Sequence, residues 1–92
     1  MSQERVHIFF NGRVQGVGFR FFMQSLAHQY HLTGWVKNLS DGRVESHLQG
    51  ESENICACIQ AAKHGNSWSY VSHTELEKIS LKNETEFKIL HY

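Results

Sequence analysis

Val6-His7-Ile8-Phe9-Phe10, then Asn11-Gly12-Arg13-Val14-Gln15-Gly16-Val17-Gly18, then Phe19-Arg20-Phe21-Phe22-Met23 is the stretch on which the fold turns. The first five residues are rich in β-branched and aromatic side chains and alternate, the period of a strand. Three glycines then interrupt the pattern. Beyond them Phe19, Phe22, Met23, Leu26, Ala27 and Tyr30 recur at three- and four-residue steps. That spacing predicts a helix from Phe19 or Arg20 to Tyr30. The unit is strand, glycine-rich loop, helix.

Working outward, Thr33–Asn38 reads as a second strand and Leu39-Ser40-Asp41-Gly42 as a turn, with Asp-Gly as its hairpin signal. Arg43–Gln49 alternates as a third strand, antiparallel to the second and ended by Gly50. Ser52 is the expected N-cap of a second helix whose inner stripe is Ile55, Cys58, Ile59 and Ala62. Lys63 and His64 precede Gly65, a good C-cap. Trp68–Thr74 is expected as a fourth strand, although it has no clear apolar face, and Glu86–His91 as a terminal one. The order is βαββαβ, and residues 1–92 are expected to form one domain. Two amphipathic helices need a sheet face to bury their stripes. The compact solution is an α+β ferredoxin-like sandwich: a four- or five-stranded antiparallel sheet with both helices on one face.

Composition narrows the function classes. The 92 residues hold nine Lys and Arg against nine Asp and Glu, and 40% are hydrophobic. A domain of this size buries ~60–65% of its unfolded surface, enough for one core and no deep interdomain cleft. No apolar run approaches the ~20 residues of a membrane span. The N-terminus lacks the pattern of a signal peptide. A cytoplasmic protein with no membrane partner is expected. Overall neutrality argues against nucleic acid. The charge is uneven: residues 1–43 carry five cations against Glu4 and Asp41, and residues 44–92 carry four Lys against seven Glu. An anion is therefore expected on the N-terminal half.

The glycine loop can serve an anion. Gly16 and Gly18 tolerate positive φ, which lets successive N–H groups turn inward. The following helix start adds unpaired donors, and Arg20 adds a planar fork matched to phosphate oxygens. The same glycines would equally make a tight connection and leave Arg20 a solvated helix residue. Competing phosphate motifs fail: Gly18-Phe19-Arg20 lacks the Lys and hydroxyl of a Walker loop, and Phe21 fills the last glycine slot of a dinucleotide fingerprint. Asn38 ends a strand, and its carboxamide can hold a water or bond its own turn.

Together, Gly12-Arg13-Val14-Gln15-Gly16-Val17-Gly18-Phe19-Arg20 and Gly34-Trp35-Val36-Lys37-Asn38, followed by Gly42, Val44 and Gly50, strongly resemble the two signatures of the acylphosphatase family. The resemblance is close over residues 5–50 and looser beyond. Phe87–Tyr92 is similar to the family's closing strand, with Leu90 where a basic residue is common. Gly65-Asn66-Ser67-Trp68 stands where the family usually has a proline-containing turn. The resemblance implies hydrolysis of a carboxyl–phosphate anhydride to a carboxylate and inorganic phosphate. It implies that the amides of Gln15, Gly16, Val17, Gly18, Phe19 and Arg20, with the Arg20 side chain, bind phosphate. It also implies that Asn38 positions the attacking water, with no metal or other cofactor. A small acyl phosphate, inorganic phosphate or a similar anion is the expected ligand, and a monomer the expected state.

Other residues read more plainly. His28 and His31 are three apart near a helix end without an indicated third metal ligand, and His47 and His73 read as exposed pleat positions. Cys56 and Cys58 would point about 200° apart on a helix, which suits neither a shared metal nor a mutual disulfide. Trp35 is expected on the sheet face away from the helices, a possible ligand or partner surface. The alternative function is a non-catalytic βαββαβ ligand- or RNA-binding module. Its RNA form expects exposed aromatics on the third strand, and Arg43-Val44-Glu45-Ser46-His47-Leu48 has none. Domains of the same family also occur inside larger hydrogenase-maturation proteins; the absence of zinc-finger cysteines favours a stand-alone enzyme.

Overall fold

The computed structural model describes residues 2–91. Tyr92, the last residue of the closing-strand resemblance, lies outside them, as does Met1. The elements are β1 (Gln3–Arg13), α1 (Phe19–Gln29), β2 (Thr33–Asn38), β3 (Val44–Glu51), α2 (Ser52–His64), β4 (Tyr70–Ile79) and β5 (Phe87–Leu90). One five-stranded sheet has the order β4-β1-β3-β2-β5.

Alternation sorts each strand into two faces. Val6, Ile8 and Phe10 of β1, Val36 of β2, and Val44 and Leu48 of β3 are buried. They form one core with Phe19, Met23, Leu26 and Ala27 of α1 and Ile55, Cys58, Ile59 and Ala62 of α2. Both helices therefore cover the same sheet face. Gly34 shows how closely the strands approach: a Cβ there would meet the His47 carbonyl oxygen at 2.0 Å.

Four strands pair antiparallel, as expected, but β5 pairs parallel to β2. The fully antiparallel sheet is corrected to a mixed one. The reason is topological. Strand β4 lies at the far edge, antiparallel to β1, and residues 80–86 carry the chain across the open face to the other edge. Turning back once gives β5 the direction of β1, which β2 shares. The crossing is strapped to the open face: Gln49 accepts from the Lys82 N–H at 2.9 Å and donates to the Lys82 carbonyl at 2.7 Å.

Several boundaries differ from the periodicity. Strand β1 continues past Asn11-Gly12 to Arg13, with a register shift against β4 at that point. Opposite it, Phe10 pairs with Thr74 but Gly12 with Val71. Two β4 residues on the same face are thus three apart instead of two, which erases the alternation and hides a strand that runs to Ile79. Gly50 lies inside β3, opposite Glu4. Ser52 is the first residue of α2; Glu51 holds the N-cap position, without a side-chain cap bond.

The open face holds a buried cation. Arg5 is 1% exposed. It donates to Glu84 at 2.5 Å, to Gln49 at 3.1 Å and to the His47 Nδ1. His47 is no exposed pleat position. Its ring lies between Trp35, tilted at 4.4 Å, and His7, edge-on at 4.6 Å. Trp35 does lie on this face, against that ring and beside Lys37.

Candidate functional site

Where β1 ends, the chain turns through residues 14–18 into α1. Val14 is buried and anchors the start of the loop in the core. Gly16 and Gly18 have φ of +73° and +76°. A Cβ at either would meet nothing within 4 Å, so backbone angle, not crowding, selects glycine there. Gly18 is the N-cap of α1, makes no side-chain cap bond, and no acidic residue occupies the first turn. The first amides of α1 therefore have no partner within the helix and face no competing carboxylate.

This loop, the start of α1 and the end of β2 enclose a hollow of about 150 Å³ lined by Val14, Gly16, Gly18, Phe19, Arg20, Phe21 and Asn38. The Phe19 ring is buried against Phe10, centroid to centroid 5.2 Å. The guanidinium of Arg20 is steered by the last strand: its Nη1 donates to the Leu90 carbonyl at 3.2 Å and lies 3.4 Å from the His91 Nδ1. Asn38 arrives from across the sheet at the end of β2, paired with Val44. Its Oδ1 is buried and has no hydrogen-bond partner among the described residues. A buried amide oxygen without a donor costs about 1–3 kcal/mol.

Of the sequence-predicted residues, Gly16, Gly18, Phe19, Arg20 and Asn38 share the hollow. Gln15 and Val17 belong to the loop but do not line it. The Gln15 side chain turns away, donating to the carbonyls of Leu39 at 2.7 Å and Arg43 at 2.9 Å. It thereby ties the loop to the β2–β3 turn and keeps Asn38 beside it. Val14 and Phe21 line the hollow without having been expected there. Phe21 stands exposed at its rim. The Leu90 carbonyl was also missed, because a main-chain acceptor on a strand far along the chain leaves no side-chain signal.

The N-terminal cations do not gather here. Arg5 lies buried under the 80–86 segment, and Arg43 pairs with Asp41 at 2.9 Å and Glu75 at 3.5 Å. Of the five, Arg20 alone lines the hollow. A larger hollow of about 230 Å³ lies where residues 83–86 meet β2 and β5. It is lined by Glu84 and Glu86 against Lys88, a balance that suits an anion poorly. Among the described residues no three His, Cys, Asp or Glu side chains are grouped to hold a metal ion, and no helix is long and apolar enough to cross a membrane.

The sequence profile of the acylphosphatase family matches residues 6–89. An acylphosphatase of Geobacillus thermodenitrificans is 39% identical over 89 residues, which span 96% of this chain and 95% of that protein. One from Clostridium acetobutylicum is 44% identical, spanning 96% of this chain and 98% of that protein. The crystal structure of acylphosphatase from Bacillus subtilis has a TM-score of 0.92 at 38% identity, covering 97% of this chain and 99% of that one.

Proposed function

Since this chain belongs to the acylphosphatase family and is an acyl phosphate hydrolase, we propose that the hollow between the 14–21 segment and Asn38 is where it acts. The amides of Gln15 to Arg20 and the Arg20 guanidinium hold the phosphate, and Asn38 holds the water. The observation that carries this reading is that Arg20, the left-handed glycines Gly16 and Gly18, and Asn38 line one hollow.

In the reaction, the water oxygen forms a bond to phosphorus as the bond to the acyl oxygen breaks. The carboxylate departs with that electron pair, and both water protons finish on inorganic phosphate, H2PO4⁻. The leaving group is stable at neutral pH, so little acid–base assistance is required. Positioning and charge stabilisation carry most phosphoryl transfers. Donors aimed at the phosphoryl oxygens from a rigid backbone need no reorganisation as charge shifts. Asn38 contributes as an acceptor: its amide oxygen takes a water O–H and thereby turns a lone pair toward phosphorus. An amide is too weak a base to do more.

The test is release of phosphate from benzoyl phosphate with a chelator present, for the wild type and for variants at Arg20 and Asn38. Hydrolysis that persists in chelator and collapses in both variants supports the site. Full activity in either variant removes that residue from the mechanism.

A further inference from the structure

Asn66 sits in the turn between α2 and β4, outside the hollow, and reaches the loop from behind. Its Nδ2 donates to the Val17 carbonyl at 3.3 Å. Its Oδ1 accepts from the N–H groups of Trp68 at 3.0 Å and Ser69 at 2.9 Å. Its own N–H donates to the Ser69 Oγ at 3.1 Å. One carboxamide thus closes its own turn and grips a peptide 49 residues earlier in the chain.

The gripped peptide matters. The Val17 carbonyl and the Gly18 N–H belong to one planar trans unit, so they point in opposite directions. Fixing the carbonyl toward Asn66 fixes the N–H on the far side. Gly18 lines the hollow. Val17 is flanked by two glycines at positive φ, residues free to adopt the opposite sign. Such a peptide flips easily unless something holds it, and ordering it on binding would weaken affinity.

We infer that Asn66 is a positioning residue for phosphate: by holding the Val17 carbonyl it keeps the Gly18 N–H aimed at the anion. The inference rests on the phosphate-loop reading above. It assigns the α2–β4 turn a part in binding although that turn touches no substrate.

Two variants separate the latch from the turn. Asn66→Asp keeps an oxygen to close the turn but sets it against the Val17 carbonyl. Asn66→Ser is neutral, retains a hydroxyl for the turn, and is too short to reach Val17. The measurements are kcat and KM for benzoyl phosphate, the inhibition constant of inorganic phosphate, and the melting temperature. Both variants should raise KM and the phosphate inhibition constant together by about ten-fold, roughly the weight of one net hydrogen bond. The turnover number and melting temperature should change little. Lowering the pH to 4 should narrow the gap between Asn66→Asp and wild type, because a protonated carboxyl can donate to Val17; the serine variant should show no such recovery. A folded serine variant with wild-type phosphate inhibition overturns the latch. Wild-type turnover in Arg20→Ala would instead sink the phosphate-loop reading, and that result involves no change at Asn66.

Discussion

The Nη1 of Arg20 donates to the main-chain carbonyl of Leu90 at 3.2 Å. The closing strand, which pairs parallel with β2, thus sets the direction of a cation that lines the hollow. A guanidinium can spend one N–H on that carbonyl and still present others to an anion.

That geometry separates two substitutions. Arg20→Ala should lower kcat/KM on the order of 10²–10³ and raise the phosphate inhibition constant in parallel, because a charge and its donors vanish together. Arg20→Lys should still lose at least about ten-fold, since an ammonium cannot bond Leu90 and offer a planar fork at once. Steady-state kinetics with phosphate as inhibitor checks both; a lysine variant with wild-type constants would mean that charge alone suffices.

Asn38→Ala should behave differently. If its partner is the water, kcat should fall by ~10²–10³ with phosphate inhibition nearly unchanged. The fold should tolerate it, because among the described residues the Oδ1 has no donor to leave stranded. A variant that keeps full turnover but binds phosphate poorly would transfer Asn38 from the water to the anion.

His47 makes stability depend on pH. Burial first, then the neighbouring Arg5 and His7, hold its pKa at about 4, against 6.5 ordinarily. Between these values the unfolded chain binds a proton that the folded one refuses. Stability contributed by the neutral ring is therefore full above pH 6.5 and is lost as pH falls toward 4. Thermal melts from pH 7.5 to 4.5 should show a falling melting temperature, and His47→Gln should flatten the slope. Parallel curves for the two proteins would assign the acid sensitivity elsewhere.

The cysteines should differ in reactivity. Cys56 is exposed and Cys58 buried, and burial pushes the Cys58 thiol up to about 12. Titration with Ellman's reagent should label one thiol in the native protein and the second only in denaturant. Rapid native labelling of both would contradict the packing of α2.

Much of the architecture was legible from spacing. The stripe Ile55, Cys58, Ile59 and Ala62 is buried as read, and the Asp41-Gly42 turn joins β2 to β3. Strand β4 was only half visible. Its bulge opposite Asn11-Gly12 shifts Val71 and Thr74 out of the two-residue period, and its edge position buries little. His47 was misread because a histidine at an alternate strand position looks exposed until Arg5, Trp35 and the 80–86 segment close over that face. The N-terminal excess of positive charge is not concentrated at the hollow, because Arg5 and Arg43 serve ion pairs.

By itself, the chain's order of residues determined what acts over a few neighbours: where helices and strands begin, which side of each is apolar, and that residues 16 and 18 can bend with positive φ. Those preferences arise from local sterics and from burial periods, so they can be read in place. Tertiary structure alone decided that β5 runs with β2, that Leu90 steers Arg20, that Asn38 faces the loop from another strand, and that Asn66 grips Val17. Each of these joins groups 18 to 70 positions apart. Such pairings are settled only when the whole sheet closes and every strand has found its edge.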